Sequence, residues 1–164
     1  MRRLVACSVA ITLLAGLPAT RSIATSETVF RLVSDTSNHQ STIDYLVFEV
    51  PLERFRAERS RMKRRHGWLI TVTDGCSAPI LGSTGRSFNF RAACERHDLA
   101  YANYQLLARL GFGVAWDAVF RARVDDRFQS DLQQSCTKRR HSERLRCDAW
   151  AIVYFHAVRI AAGP

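Results

Sequence analysis

Cys94-Glu95-Arg96-His97-Asp98-Leu99-Ala100-Tyr101-Ala102-Asn103-Tyr104 is the stretch on which the fold turns. It sits within a run from about Phe88 to Leu110 in which Phe90, Ala93, Cys94, His97, Tyr101, Tyr104 and Leu107 recur at helical spacing. Residues three or four apart share a helix face, so Cys94, His97, Asp98 and Tyr101 converge within about one and a half turns. A proton carrier, a carboxylate and a disulfide end in one place make either a site or a tied-down core.

Downstream of this helix, Gly111-Phe112-Gly113 is a break too short for anything but antiparallel neighbours. The next helix is expected from about Ala115 to Ser135, with Trp116, Phe120, Val124, Phe128 and Leu132 as its buried stripe. A polar, basic hairpin, Thr137 to Arg146, then leads to a last helix from Asp148 to about Ala161, apolar nearly all round and therefore expected to be largely buried. Upstream, residues 68 to 87 carry loop chemistry: Asp74-Gly75, Ser77, Pro79, Gly82, Ser83, Thr84 and Gly85. A helix near residues 41 to 49 should break at Pro51 and resume to about Arg65. The arginine-rich run from Arg54 to Arg65 reads as a solvated face, with Glu53 and Glu58 as partners, rather than a dedicated lipid or polyanion contact. No repeat or low-complexity tract appears, so the domain is read as all-α.

Met1-Arg2-Arg3, the apolar run Leu4 to Leu17 and the small residues ending at Ala24 form a secretory signal peptide over residues 1–24. The apolar run is shorter than the roughly 20 residues a spanning helix needs. Cys7 precedes the apolar region instead of following it, which argues against a lipoprotein box, and the residues around Arg2-Arg3 do not support twin-arginine export. Residues 25–164 then make a single domain, and export makes the protein extracellular. Three arginines leave with the leader, so 21 basic and 15 acidic residues give the mature chain a charge of +6. Such a surface favours anionic partners, lipid head groups or nucleic acid alike. Four cysteines remain, Cys76, Cys94, Cys136 and Cys147, an even count that reads as two disulfides in an exported chain. Three pairings are open, of which the simplest joins Cys76 to Cys94 and Cys136 to Cys147. A zinc site at Cys94-x-x-His97 lacks a second clear ligand pair.

Adjacent helical side chains point about 100° apart, so His97 and Asp98 must have different jobs. Asp98, facing a loop drawn in by a Cys76 bridge, would meet Asp74, and two carboxylates with backbone carbonyls make a calcium-type oxygen site. Gly75 would let the backbone present its carbonyl there. His97 is then a general base on water, given a group to orient its far nitrogen. Asp117, Asp125 and Asp131 lie on or beside the stripe of the facing helix; Asp126 projects away. Periodicity leaves those three open.

The sequence resembles the secreted phospholipases A2 of bacteria and fungi. Their Asp-(Gly/Leu)-Cys-(Ser/Thr) loop is matched by Asp74-Gly75-Cys76-Ser77, and their Cys-x-Arg-His-Asp-Phe-x-Tyr-Arg-Asn-Tyr helix by Cys94 to Tyr104. The likeness continues through Arg123-Val124-Asp125, Cys136, Cys147 and Trp150 to Ala157-Val158, and so covers residues 74 to 158; residues 25 to 67 show no match. Leu99, Ala100 and Ala102 stand where the family has Phe, Gly and Arg, and Ile80 to Gly85 lacks the family's Pro-Asp-x-Pro pattern.

The resemblance implies a phospholipase A2-like all-α fold: two long antiparallel disulfide-linked helices, a calcium loop and additional helices. It implies that His97 activates water, Asp125 orients it and Tyr101 supports the network. It implies that calcium is held by Asp74, the Gly75 carbonyl and Asp98, and that the cysteines pair as neighbours. The implied reaction is calcium-dependent hydrolysis of the sn-2 ester of glycerophospholipids, by a monomer acting on a phospholipid membrane or micelle, with no nucleic-acid partner. A catalytically silent, basic membrane-binding protein or toxin on the same scaffold is the alternative, and a secreted metal-dependent nuclease, for which no motif speaks, the third.

Overall fold

The computed structural model describes residues 38–75 and 88–162, and among them every regular element is helical. The expected leader, the 76–87 part of the loop and the Cys76 end of its bridge lie outside the described residues. Helix α1 covers residues 38–44 and runs into a π turn, Tyr45–Glu49. Then come α2, Leu52–Arg65; α3, Arg91–Arg109; α4, Ala118–Thr137; and α5, His141–Ala162.

Pro51 sets the first corner. Its ring disfavours a helical conformation in the residue before it, and Val50 is extended, at φ −67° and ψ 128°. The Val50 N–H closes the π turn on the Tyr45 carbonyl at 3.0 Å. The last carbonyls of a helix have no partner within it, and here two arginines supply one. Arg96 of α3 donates to the Val47 carbonyl at 3.3 Å, and Arg127 of α4 to the Phe48 carbonyl at 3.2 Å. Both also face Asp131, Arg96 at 3.5 Å and Arg127 at 3.2 Å. Arg96 is 1 % exposed and stands over the Phe55 ring at 5.0 Å. Burial lowers its pKa to about 10 against the opposing pull of Asp131, so the guanidinium stays charged at neutral pH and serves as a buried strut between the first corner and the helix pair.

Gly111 and Gly113, at φ 74° and 70°, make the turn between α3 and α4 in a region that side-chain-bearing residues avoid. The two helices are antiparallel: Arg96 meets Asp131, His97 meets Asp125, and Tyr104 meets Phe120. Asp117 caps α4 by accepting the Phe120 N–H at 2.8 Å. Apolar packing falls into two clusters. One gathers Ile43, Leu46, Phe55, Leu69, Leu99, Tyr104 and Val124; the other gathers Phe90, Cys94, Phe128, Leu132, Cys136, Cys147 and Tyr154. His97 lies where they meet, 4.3 Å from the Tyr101 ring and 4.8 Å from that of Phe128.

The C-terminal region departs from expectation in two ways. Thr137 to Arg146 is not a hairpin. The connection after α4 is only residues 138–140, and His141 to Arg146 already form the start of α5, because Glu143, Arg144 and Arg146 are good helix formers with no breaker among them. Nor is the last helix largely buried. Cys147, Ala151, Tyr154 and Phe155 pack inward, whereas Ile160 is 83 % exposed and Ile152 and Val153 are also open. Among the described helices α4 makes the extensive contact with α5, Phe88 and Phe90 add to it, and Ile152, Val153 and Ile160 stay open.

Cys136 and Cys147 are joined across the α4–α5 turn, as expected, and Cys94 is also disulfide-bonded. Closing a loop of this size restricts the unfolded chain by about 2–3 kcal/mol. The Cys136→Ser/Cys147→Ser protein should lose that amount in urea unfolding; an unchanged midpoint and slope would show that the bridge adds nothing.

Candidate active site

Helix α3 presents two chemical faces, and His97 occupies the inner one. Its Nε2 lies 2.9 Å from Oδ1 of Asp125 on α4, and the Tyr101 hydroxyl donates to the same oxygen at 2.8 Å. The other carboxylate oxygen, Oδ2, has the Arg159 Nε of α5 at 3.5 Å. His97 is 6 % exposed and Asp125 5 %. Burial pushes the Asp125 carboxyl up, but the hydrogen bonds from His97 and Tyr101 and the charge of Arg159 outweigh it, leaving the pKa below the ordinary carboxylate value. An ionised carboxylate only accepts hydrogen bonds, so neutral His97 carries its proton on Nε2 and keeps the Nδ1 lone pair for chemistry. Burial and Asp125 raise the Tyr101 pKa, so that its hydroxyl remains a donor.

Of the three carboxylates that periodicity left open, Asp117 caps α4, Asp131 serves the buried arginines, and Asp125 alone meets His97. Asp126 is exposed, as its place on the helix required.

The second face of α3 carries Asp98. Residues 70–75 form no regular element and are held to α3 at two points. The Asn103 amide donates to the Ile70 carbonyl at 2.8 Å and accepts the Ile70 N–H at 2.9 Å. Five residues back along α3, Asp98 Oδ2 accepts the Gly75 N–H at 3.0 Å. Gly75 has φ 64°, a conformation that costs other residues about 1–2 kcal/mol. This arrangement sets the Asp74 carboxyl against that of Asp98. Burial most of all, opposed by the Gly75 N–H and assisted by Asp74, pushes the Asp98 pKa up to about 6.

Burial and the neighbouring Asp74 make the ionised form of Asp98 costly, a cost that a cation between the two carboxyl groups would offset, and their hard oxygens suit calcium or magnesium better than a softer metal. Among the described residues no group of three or more His, Cys, Asp or Glu side chains forms a metal cluster. Backbone carbonyls and water would have to complete a shell around these two. The residues present fit that requirement.

Asn103 and Arg159 were not singled out from the sequence. Both had a signal: an amide amid the apolar positions of α3, and a lone guanidinium late in an otherwise apolar helix. An open cleft of about 470 Å³ is lined by Tyr101, Arg121, Asp125, Arg159 and Ile160. It reaches Asp125 from the α5 side and is not lined by His97.

Residues 43–162 match a family described as prokaryotic phospholipase A2. A secretory phospholipase A2 of Beauveria bassiana (strain ARSEF 2860) is 32% identical over 120 residues, 73% of this chain and 57% of that protein. One of Arthroderma benhamiae (strain ATCC MYA-4681 / CBS 112371) is 28% identical over 120 residues, 71% of this chain and 74% of that protein. The chain thus spans little more than half the length of the first of these relatives. The match begins at residue 43, so the likeness extends upstream of the 74–158 segment recognised by motif and takes in the π turn and α2.

The raised Asp98 pKa has a sign that can be measured. Without a metal the folded protein holds this proton more tightly than the unfolded chain does, so the associated stability is full below about pH 4 and lost as pH rises through about 6. In chelator, the stability of the wild type relative to Asp98→Asn should fall by on the order of 1–2 kcal/mol between pH 4 and 7, allowing for partial solvent screening. A flat or rising difference would contradict the crowding of Asp74 and Asp98.

Proposed function

This chain belongs to the prokaryotic phospholipase A2 family, and on that premise we propose that it is an exported, calcium-dependent enzyme hydrolysing the sn-2 ester of glycerophospholipids to a lysophospholipid and a fatty acid. The observation that carries the proposal is the buried His97–Asp125–Tyr101 network on one face of α3, with the Asp74–Asp98 pair on the next.

In this reading His97 Nδ1 removes a proton from water as the oxygen attacks the ester carbonyl. Asp125 keeps the ring in the required tautomer and stabilises the imidazolium that forms. The same proton then passes from Nδ1 to the departing glycerol oxygen, and the fatty acid leaves. No side-chain nucleophile is needed. Positioned proton transfer of this kind contributes about 10²–10⁴-fold. Tyr101 holds Asp125 ionised and in place without touching the ester. Asp74, Asp98 and the Gly75 carbonyl are the groups that would hold calcium. When bound, calcium supplies a fixed positive charge for the phosphate and for the negative charge developing on the ester oxygen.

Export is supported by the leader-like residues 1–24, by the disulfides and by relatives named secretory. None of the described helices is long and apolar enough to cross a membrane. We read the mature chain as a monomer that meets its substrate at a phospholipid surface.

The test is fatty-acid release from phospholipid vesicles by the oxidised mature chain, with calcium and with chelator. Release should vanish in chelator and fall roughly 100-fold or more in His97→Gln and Asp125→Asn, while the exposed Asp126→Asn changes it less than about twofold. Full activity in chelator would overturn the calcium dependence. Vesicle binding without release would favour the silent membrane-binding alternative.

A further inference from the structure

The arginine run of α2 is not simply a solvated face. Arg61 pairs with Glu58 as expected, at 3.1 Å, but Glu53 faces Lys138 at 3.9 Å, and two of the arginines reach a carboxylate on another helix. Glu95 of α3 is 5 % exposed and receives three guanidinium groups. Arg56 binds it through Nε at 2.9 Å and Nη2 at 3.2 Å, Arg59 through Nη1 at 3.2 Å, and Arg91 through Nε at 3.1 Å. One guanidinium would neutralise the carboxylate. Three leave a local charge of +2 on side chains already held in place, and each keeps N–H donors that Glu95 does not use. The side chains of Arg56 and Arg91 are 48 % and 58 % exposed.

The location gives the cluster a ligand. Arg91, Glu95 and Asp98 stand at i, i+4 and i+7, one stripe along α3. The Arg91 stem also lies beside Gly75, where a Cβ would come within 3.9 Å of its Cγ. Arg91 therefore borders Gly75, and Glu95, on which the three arginines converge, lies about one helical turn, or 5 Å of rise, from Asp98 along α3. A phosphodiester drawn to the Asp74–Asp98 pair through a cation would direct its head group within reach of these guanidiniums. Choline or ethanolamine would bring a positive charge to a positive cluster. A head group without a cation, or with a further anionic group, would meet preorganised donors.

We propose that Arg56, Arg59 and Arg91, gathered on Glu95 beside the Asp74–Gly75 loop, form a subsite for the head groups of anionic glycerophospholipids. The subsite rests on the phospholipase reading and determines substrate preference within it; its arginines do not take part in the bond-breaking step.

The test compares phosphatidylglycerol with phosphatidylcholine vesicles. Binding is measured in chelator, where no hydrolysis is needed, and fatty-acid release is measured in calcium. Arg56→Gln/Arg91→Gln leaves Arg59 to neutralise Glu95, and Arg56→Gln alone is the milder variant should the double variant fold poorly. Arg65→Gln/Arg109→Gln removes the same charge at exposed positions; Arg109 is about 27 Å along α3 from Arg91.

The wild type should prefer phosphatidylglycerol in both measurements. The preference should fall roughly tenfold or more in Arg56→Gln/Arg91→Gln, in keeping with about 1 kcal/mol per basic residue at an anionic surface. It should survive in Arg65→Gln/Arg109→Gln. Equal losses in the two double variants would mean that bulk charge is responsible and would overturn the subsite, as would no loss in either. Saturable binding of inorganic phosphate by a wild type that does not distinguish the two vesicles would make the cluster a small-anion site and overturn the lipid assignment. Absence of fatty-acid release under every condition would sink the phospholipase reading, while the binding measurements would still report on the arginines.

Discussion

One hydrogen bond, between His97 of α3 and Asp125 of α4, ties helix register to the protonation of a buried ring. It joins the two long helices at the level where the two apolar clusters meet, and both partners are nearly inaccessible to water. Burying a carboxylate is costly unless it is paired and hydrogen-bonded. Asp125 receives His97 and Tyr101 on one oxygen and faces Arg159 at the other. The carboxylate thereby remains an acceptor, and the acceptor fixes which ring nitrogen carries the proton. Helix register, burial and tautomer are linked through one oxygen atom.

The second consequence of the α3 geometry is separation. Because neighbouring side chains diverge by about 100°, His97 turns toward α4 while Asp98 turns toward the 70–75 segment. The His97–Asp125 contact and the Asp74–Asp98 carboxyl pair are therefore built on adjacent residues without sharing atoms. Asn103 and Gly75 do the local work on the Asp98 side, one by clamping the 70–75 segment at Ile70 and the other by turning it. The buried arginines do comparable work farther away. Arg96 and Arg127 satisfy the open carbonyls of the first corner and tie it to the same two helices. Arg96, fully buried, donates to the Val47 carbonyl and faces Asp131 at 3.5 Å, while the partly exposed Arg127 faces Asp131 at 3.2 Å.

Much of this was legible in the sequence where a residue's role is local. Pro51 ended the first helix, Gly111 and Gly113 turned α3 into α4, and the spacing of His97, Asp98 and Tyr101 gave their faces. Asp125 was different. Periodicity placed three carboxylates near the inner side of α4, and the choice depends on the phase of one helix against another, which only packing fixes. The partner of Arg56 and Arg59 was hidden for the same reason: Glu95 is 39 and 36 residues away, whereas Glu53 and Glu58 are sequence neighbours. The C-terminal helix misled in the opposite sense, since apolar composition states what can be buried and not whether a neighbour exists to cover it. Ile160, open to solvent on α5, shows the difference.

Asp125, as an ionised acceptor, holds neutral His97 with its proton on Nε2 and its lone pair on Nδ1. Nitrogen-15 NMR of the histidine-labelled protein, at a pH where the imidazole is neutral, reads this directly. A protonated Nε2 and an unprotonated Nδ1 for His97, with the preference lost in Asp125→Asn, are the predicted result. A proton on Nδ1, or a tautomer ratio indifferent to Asp125, would contradict it.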